Sequence, residues 1–330
     1  MNIFLTIPGF TPHGGIRVIL EWANRLSAFH KVYLYSRSRQ RLDWFALDRR
    51  VQRITAPKLL KCCNCLIVSS PHDVELLTNP DRPDRCFVFM QMLEHLFQPG
   101  NPHWAARCKR FYLTGYPLIA ISQWNIKELK KMGRTGPVYY VGNGVNTVDF
   151  PPYTGGEKPG NTVLVEGWQA INPTKDAQRI APKVAQRLKA LGYKIKAYGQ
   201  LPLDGQYDSV LDRYYCCPGL PVLNTLYEEA SILLKASICD ARSCSPMEAM
   251  AKSAVPVRAI DYGDDDLVND YNCLRVGYNE DGLFTAAVRV LTDIELQSRL
   301  RTNGQAYIRE YSWSYWINQI DNILSTHYEK

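Results

Sequence analysis

Two doubly wound parallel α/β domains joined by a short linker are the fold class this sequence predicts. Three observations carry the prediction. The chain has 330 residues, past the length at which a single hydrophobic core stops growing. Short apolar runs suited to buried strands alternate with stretches of helical periodicity. Residues 151–160, PPYTGGEKPG, place three prolines and three glycines in ten positions, a composition that suits neither helix nor strand. The expected division is a first domain at 1–150, a linker at 151–160, a second domain at 161–310 and a terminal helix at 311–330.

The elements follow in order. NIFLTI (2–7) is an apolar strand, and Pro8–Gly15 a loop. Ile16, Ile19, Leu20, Ala23 and Leu26 recur at helical spacing before a second strand at Val32–Tyr35. This strand–turn–helix–strand unit carries Gly14 and Gly15 at the turn, where unbonded backbone N–H groups suit an anion. Further strands are expected at 65–70, 86–90, 118–122 and 138–141, with a helix at Trp124–Met132. The second half predicts strands at Thr162–Glu166, Lys194–Tyr198 and Ala236–Cys239, and helices from about Thr174 and over Thr225–Leu233. Trp313, Trp316, Ile317, Ile320, Ile323 and Leu324 trace one face of the terminal helix.

Composition narrows the class. Hydrophobic residues make up 46% and charged residues 22%, the proportions of a soluble globular protein. No apolar run approaches the ~20 residues that span a bilayer, and MNIFLTIPGF reads as a first strand rather than a signal peptide. A cytoplasmic place is expected, with the ten cysteines held as thiols. Cys62-Cys63-Asn64-Cys65 contains one CxxC, and Cys216-Cys217 is a second cluster. Neither a second CxxC nor a spaced histidine pair accompanies them, so buried strand-edge cysteines are expected and no metal.

Cys239–Pro256, CDARSCSPMEAMAKSAVP, is the stretch with the most chemistry. Asp240 lies in a loop of small and polar residues, and Glu248, eight positions on, stands at the opening of the short helix MEAMA. Backbone N–H groups at such a helix start can cradle an anion. The plainer alternative is that Glu248 charges the first turn of a surface helix.

An acid, seven residues, Glu-Ala-Met-Ala, a small residue and Pro-Val resembles the donor-site signature of family 4 glycosyltransferases. Asp240 stands where that family usually has Glu. GGIRVILEWANRLSAFHKVYLYS resembles the opening of the same family, QMLEHLFQP a segment of its rhamnosyltransferase-like members, and GNGVNTVDF its N-G-V-D segment, with Asn146 where Asp is usual. The resemblance covers essentially the whole chain. It implies the GT-B fold: two Rossmann-like domains facing a central cleft, the first binding acceptor, the second binding nucleotide sugar, and a terminal helix crossing back to the first domain. It implies that Gly14 and Gly15 approach the donor diphosphate, that His13 lies at the cleft mouth, and that Gln91, Glu94 and His95 border the acceptor. Gly167, Lys175, Ser243 and Cys244 would also bind the donor, with Trp168 at the position usually held by a phosphate-binding arginine. Glu248 would accept from the donor ribose hydroxyls, and Asp240 would hold sugar hydroxyls and support positive charge at the anomeric centre. The reaction implied is metal-independent transfer of a hexosyl or pentosyl group from a UDP- or other NDP-sugar, with retention.

The acceptor is approached through charge. Residues 1–150 hold 20 Lys and Arg against 10 Asp and Glu, a net +10, while the remainder is −3. Arg37–Lys61 alone carries eight basic residues against Asp43 and Asp48, with Trp44 and Phe45 between them. Arg37, Arg39 and Arg41 are thus candidate acceptor contacts, with the aromatics available for base stacking. An anionic partner fits, and on charge alone the balance leans slightly to a nucleic acid, such as hydroxymethylated phage-type DNA; the alternative is a membrane-associated glycan of cell-envelope polysaccharide or glycolipid synthesis, which would bring the protein peripherally to a membrane surface. An inactive binding protein of the same fold is the alternative from another class. No obligate protein partner is evident.

Overall fold

The structure, a computed structural model, describes residues 1–156, 158, 160–168, 176 and 179–327. The chain divides into two compact units, Met1–Asn143 with Ser314–Lys330, and Gly144–Trp313. In the first, β1 (Asn2–Thr6), α1 (Gly14–Leu26), β2 (Lys31–Tyr35), β3 (Gln52–Ile54), β4 (Cys65–Val68), β5 (Arg85–Met90), α2 (Pro102–Tyr112), β6 (Leu118–Ala120), α3 (Gln123–Lys131) and β7 (Val138–Tyr140) follow in turn. All seven strands pair in parallel in the order β3-β2-β1-β4-β5-β6-β7. Their interior residues are apolar in unbroken runs, as a parallel sheet covered on both faces requires. Ile3, Phe4, Leu5, Leu66, Ile67, Phe87, Val88 and Phe89 are all fully buried.

The second unit runs β8 (Thr162–Glu166), α4 (Ile180–Ala190), β9 (Lys194–Gly199), β10 (Arg213–Cys216), α5 (Leu220–Glu229), β11 (Ile232–Asp240), α6 (Cys244–Ala251), β12 (Val255–Gly263), β13 (Leu274–Val276), α7 (Glu280–Thr292) and α8 (Ile294–Glu310). Its six parallel strands take the order β10-β9-β8-β11-β12-β13. Helix α9 (Trp313–Thr326) follows. Residues of α9 belong to the first unit: Asp321 pairs with His30 at 2.6 Å, and Arg85 reaches the carbonyls of Leu324 and Ser325.

Helix starts are written locally. Asn101 caps α2 with Pro102 at its first position, and Ser122, Asn279 and Asp293 cap α3, α7 and α8 through side-chain oxygens. Several boundaries differ from the sequence reading. The helix expected over Thr225–Leu233 is α5, ending at Glu229, because Ile232 and Leu233 are fully buried members of β11. Glu248 does not open its helix: α6 begins at Cys244, so Glu248 sits in the second turn and is 4% exposed. That burial also excludes the surface-helix alternative. The helix expected from about Thr174 begins at Ile180 in the described residues, and Thr174 and Lys175 lie outside them. The stretch Gly144–Gly156 counts with the second unit, where Val145 and Phe150 enter the core and Tyr153 N–H donates to Ala251 O.

Among the described residues, no helix is long and apolar enough to cross a membrane.

Candidate functional site

Each sheet reverses its winding once, between β1 and β4 and between β8 and β11. Ligands of doubly wound sheets bind outside the strand carboxyl ends at such a point. In the first unit this end gathers His13, Gly14, Gly15 and Gln91. His13 caps α1, its Nδ1 accepting from Ile16 N–H at 3.4 Å. Gln91, just past β5, donates from Nε2 to Gly15 O at 3.0 Å. A Cβ on Gly15 would lie 3.3 Å from the His13 ring and 3.4 Å from Gln91 Oε1, so close approach is what the glycine serves here.

Glu94 and His95 lie in a short 3-10 turn next to α2, where Trp104 Nε1 donates to Glu94 O at 2.9 Å and the His95 ring stands 5.9 Å from Tyr112. Burial pushes the Glu94 carboxyl up to about 8 and the His95 ring down. At neutral pH Glu94 therefore carries a proton, and His95 is neutral. A raised folded-state value means that Glu94 stabilises the fold fully below the unfolded carboxyl range, and that this contribution is lost as pH climbs through about 8. Glu94→Gln is accordingly expected to flatten the loss of melting temperature as pH rises from the ordinary carboxyl range to about 8. Parallel melting curves of the parent and the variant, read across that range, check it.

Of the basic candidates, Arg37 is 59% exposed at its side chain and pairs with Asp73 at 3.2 Å, while Arg39 and Arg41 are exposed. Burial raises Asp73 to about 6 against the opposing pull of Arg37. One of the two aromatics of this stretch, Phe45, is withdrawn from stacking. Phe45 is buried, and the Trp44 indole N–H donates to Phe10 O at 2.6 Å, since both rings help hold the loop on the domain. Some of the positive charge is likewise structural: Arg134 is buried and donates to the carbonyls of Tyr112, Thr114 and Tyr116.

The second unit concentrates charge at its own reversal. β8 ends on Glu166 and β11 on Asp240, with α6 beginning four residues later. Gly167 follows β8 at φ +75, a left-handed conformation that favours glycine, and Trp168 turns into the core at 1% exposure. Trp168 is therefore packing, not a stand-in for a phosphate-binding cation. Asp240 Oδ2 accepts from Ser243 Oγ at 2.7 Å and lies 3.3 Å from Lys235 Nζ and 3.7 Å from Arg258. Gly263, in register with Asp240 and at φ +96, leaves room that nothing else could: a Cβ there would fall 1.8 Å from Asp240 O.

Ser243, expected to bind the donor, has its amide engaged already, donating to Asp264 Oδ1 at 2.8 Å. Asp264 is 1% exposed and is neutralised by its contact with Arg258, which is fully buried. Arg242 is locked between Asp266 and the Tyr307 hydroxyl. Cys244, the first residue of α6, is half-buried.

Lys235 and Arg258 were missed in the sequence, although each is a lone cation inside an apolar run, ILLKASIC and VPVRAI. Charges in such runs are buried only when paired. Cys63, Cys65, Cys86, Cys108, Cys239 and Cys273 are buried, whereas Cys62, Cys216 and Cys217, expected to be buried, are exposed, and among the described residues no group of three or more His, Cys, Asp and Glu could hold a metal ion.

No family model and no curated protein matches this chain. Solved structures do. Sucrose-phosphate synthase from Thermosynechococcus elongatus aligns at TM-score 0.79 and 13% identity, covering 99% of both chains. HepE of Anabaena, solved with UDP-glucose, aligns at TM-score 0.78 and 14% identity over 99% of this chain and 100% of that one. WaaG, described as a glycosyltransferase involved in lipopolysaccharide biosynthesis, aligns at 0.75 and 13% over 98% and 99%. Two all-parallel Rossmann-like domains aligned to these proteins over nearly their whole lengths define the GT-B fold. At these identities the likeness is one of fold.

Proposed function

We propose that this chain is a retaining glycosyltransferase that moves a sugar from a nucleotide sugar to a hydroxyl of an anionic acceptor. The observation that carries the reading is the placement of its paired acids. Asp240 closes the strand at the sheet reversal, and Glu248 lies eight residues on, buried in the following helix. The second domain takes the nucleotide sugar and the first the acceptor. Glu248 accepts from the ribose hydroxyls. Asp240, 14% exposed at its side chain, faces the sugar and stabilises positive charge at the anomeric carbon as the bond to the diphosphate breaks. The turn at Gly167, the α6 start at Cys244, and Lys175 receive the departing diphosphate by electrostatic stabilisation. HepE is described in complexes with UDP-glucose and with UDP, which makes a UDP-sugar the first donor to offer.

For the acceptor, a membrane-associated glycan is the stronger reading and nucleic acid the second. The burial of Phe45 takes away one of the two rings available for base stacking. WaaG's described role favours a glycan. The exposed Arg39 and Arg41 keep nucleic acid in play. His13, Gln91, Glu94 and His95 line the acceptor side in either case. A binding protein without transfer is favoured by one observation, the internal Asp264 carboxylate on the Ser243 amide, where a donor phosphate would otherwise accept.

A panel of nucleotide sugars offered with lipid-linked glycan or with hydroxymethylated duplex DNA, each over a salt series, separates these readings. Transfer to the glycan is expected. Transfer to DNA, with binding that falls steeply with salt, would establish the second reading, and donor binding without turnover on any acceptor the third.

A further inference from the structure

The second-domain site stands on a buried row of charge that the paired acids alone do not account for. β11 alternates, with Ile232, Leu234 and Ala236 in one core and Leu233 in the other. Lys235 therefore follows Leu233 onto the face that α6 covers. In register beside it is Arg258, and Glu166 follows Val165, the partner of Leu234. Glu166, Lys235 and Arg258 thus cross three adjacent strands in one line beneath the start of α6.

Lys235 is 3% exposed at its side chain, against 14% for Asp240 and 19% for Glu166. The carboxylates face outward and the ammonium lies below them, out of reach of a bound sugar nucleotide. Its Nζ approaches Glu166 Oε1 at 2.8 Å, Ser243 Oγ at 2.5 Å and Ser245 Oγ at 3.1 Å. An ammonium has three protons and accepts nothing, so toward each of these oxygens Lys235 can only donate. Both serine hydroxyls must then accept from Lys235 and send their own protons onward. Ser243 donates to Asp240 Oδ2 at 2.7 Å, and Ser245 donates to Glu166 Oε2. One buried cation thereby fixes the direction of two hydroxyls and the rotamers of two carboxylates.

We propose that Lys235 is a positioning residue for glycosyl transfer, setting the orientation of Asp240 directly and through the Ser243 hydroxyl. The inference rests on the transferase reading given above. Ser243 and Ser245 are struts in this arrangement, and Ser243 serves the donor by holding Asp240 and not by donating its hydroxyl to phosphate.

Lys235→Met alone would leave Glu166 and Asp240 facing each other without their cation, so the test pairs it with Glu166→Gln, which removes one charge of each sign. Ser243→Ala, which changes no charge, is the second variant. Nucleotide affinity by calorimetry and turnover of a UDP-sugar are read on each, with a crystal structure of each variant. The double variant is expected to lose about 100-fold in turnover, the scale of a 1 Å misplacement, with the affinity for UDP held within about threefold. Ser243→Ala should lose about tenfold on the same pattern, and Asp240 Oδ2 should leave its place in both structures. Turnover, affinity and melting temperature falling together would overturn the proposal by showing that Lys235 only supports the fold. So would an unmoved Asp240 with full turnover. If the double variant does not fold, Ser243→Ala decides alone. If the parent turns over no nucleotide sugar, the transferase reading fails separately, and the position of Asp240 in the variant structures still decides whether Lys235 and Ser243 hold it.

Discussion

Asp240→Asn is expected to lower nucleotide-sugar turnover by about 10²–10³-fold, the loss seen when a charge-stabilising group is removed. The substitution keeps the shape of the side chain and leaves an oxygen for the Ser243 hydroxyl, which now lies 2.7 Å from Oδ2. What it removes is the negative charge at the outer end of β11. Ground-state binding depends on the diphosphate and the nucleoside, which Asp240 does not hold in the proposed arrangement, so affinity for the nucleotide should change little. Steady-state turnover beside calorimetric titration of UDP separates the two effects. A drop in affinity as large as the drop in turnover would move Asp240 from the sugar to the nucleotide.

Arg258→Met is expected to cost stability, not chemistry alone. Arg258 is fully buried in β12 and faces Asp264, whose side chain is 2% exposed, with Asp240 3.7 Å away. Burial pulls the guanidinium below its ordinary value, which is the desolvation penalty the pair has to offset. Removing the cation leaves Asp264 buried and uncompensated, a loss of about 3–5 kcal/mol. For a unit of this size that corresponds to roughly 10 °C in melting temperature. Arg258→Met with Asp264→Asn removes both charges and should recover most of the loss. Thermal denaturation of the single and double variants checks it, and a single variant as stable as the parent would refute the ion pair's role.

Much of the fold was legible because parallel strands buried on both faces write themselves as apolar runs. IFLT, CLIV, CFVFM and TVLVE needed only length and flanking turns to be read. The α5 boundary was not, because Ile232 and Leu233 continue the helical spacing of the residues before them and only pairing with β8 and β12 claims them for the sheet. Asp240 and Glu248 were singled out by the resemblance that their spacing and the sequence around Glu248 carry, and the structure ends β11 on Asp240 and buries Glu248. The start of α6 was misplaced because Pro246 obscured a helix that begins two residues earlier, at Cys244, where proline is tolerated in a first turn. Lys235 and Arg258 were visible as letters, yet their meaning depends on register across β8, β11 and β12, which no local pattern reports. The basic stretch after β2 read as a stacking surface because sequence shows the kind of residue and not its burial, and Phe45 is buried.

The central claim is that the acids of the second domain bind and activate a nucleotide sugar. Its most direct test is diphosphate release from a UDP-sugar by the parent, Asp240→Asn and Glu248→Ala, with UDP affinity measured on the same preparations. The account predicts release by the parent, binding without release by Asp240→Asn, and weakened binding by Glu248→Ala. Equal affinity in Glu248→Ala and the parent, or undiminished release by Asp240→Asn, would contradict it.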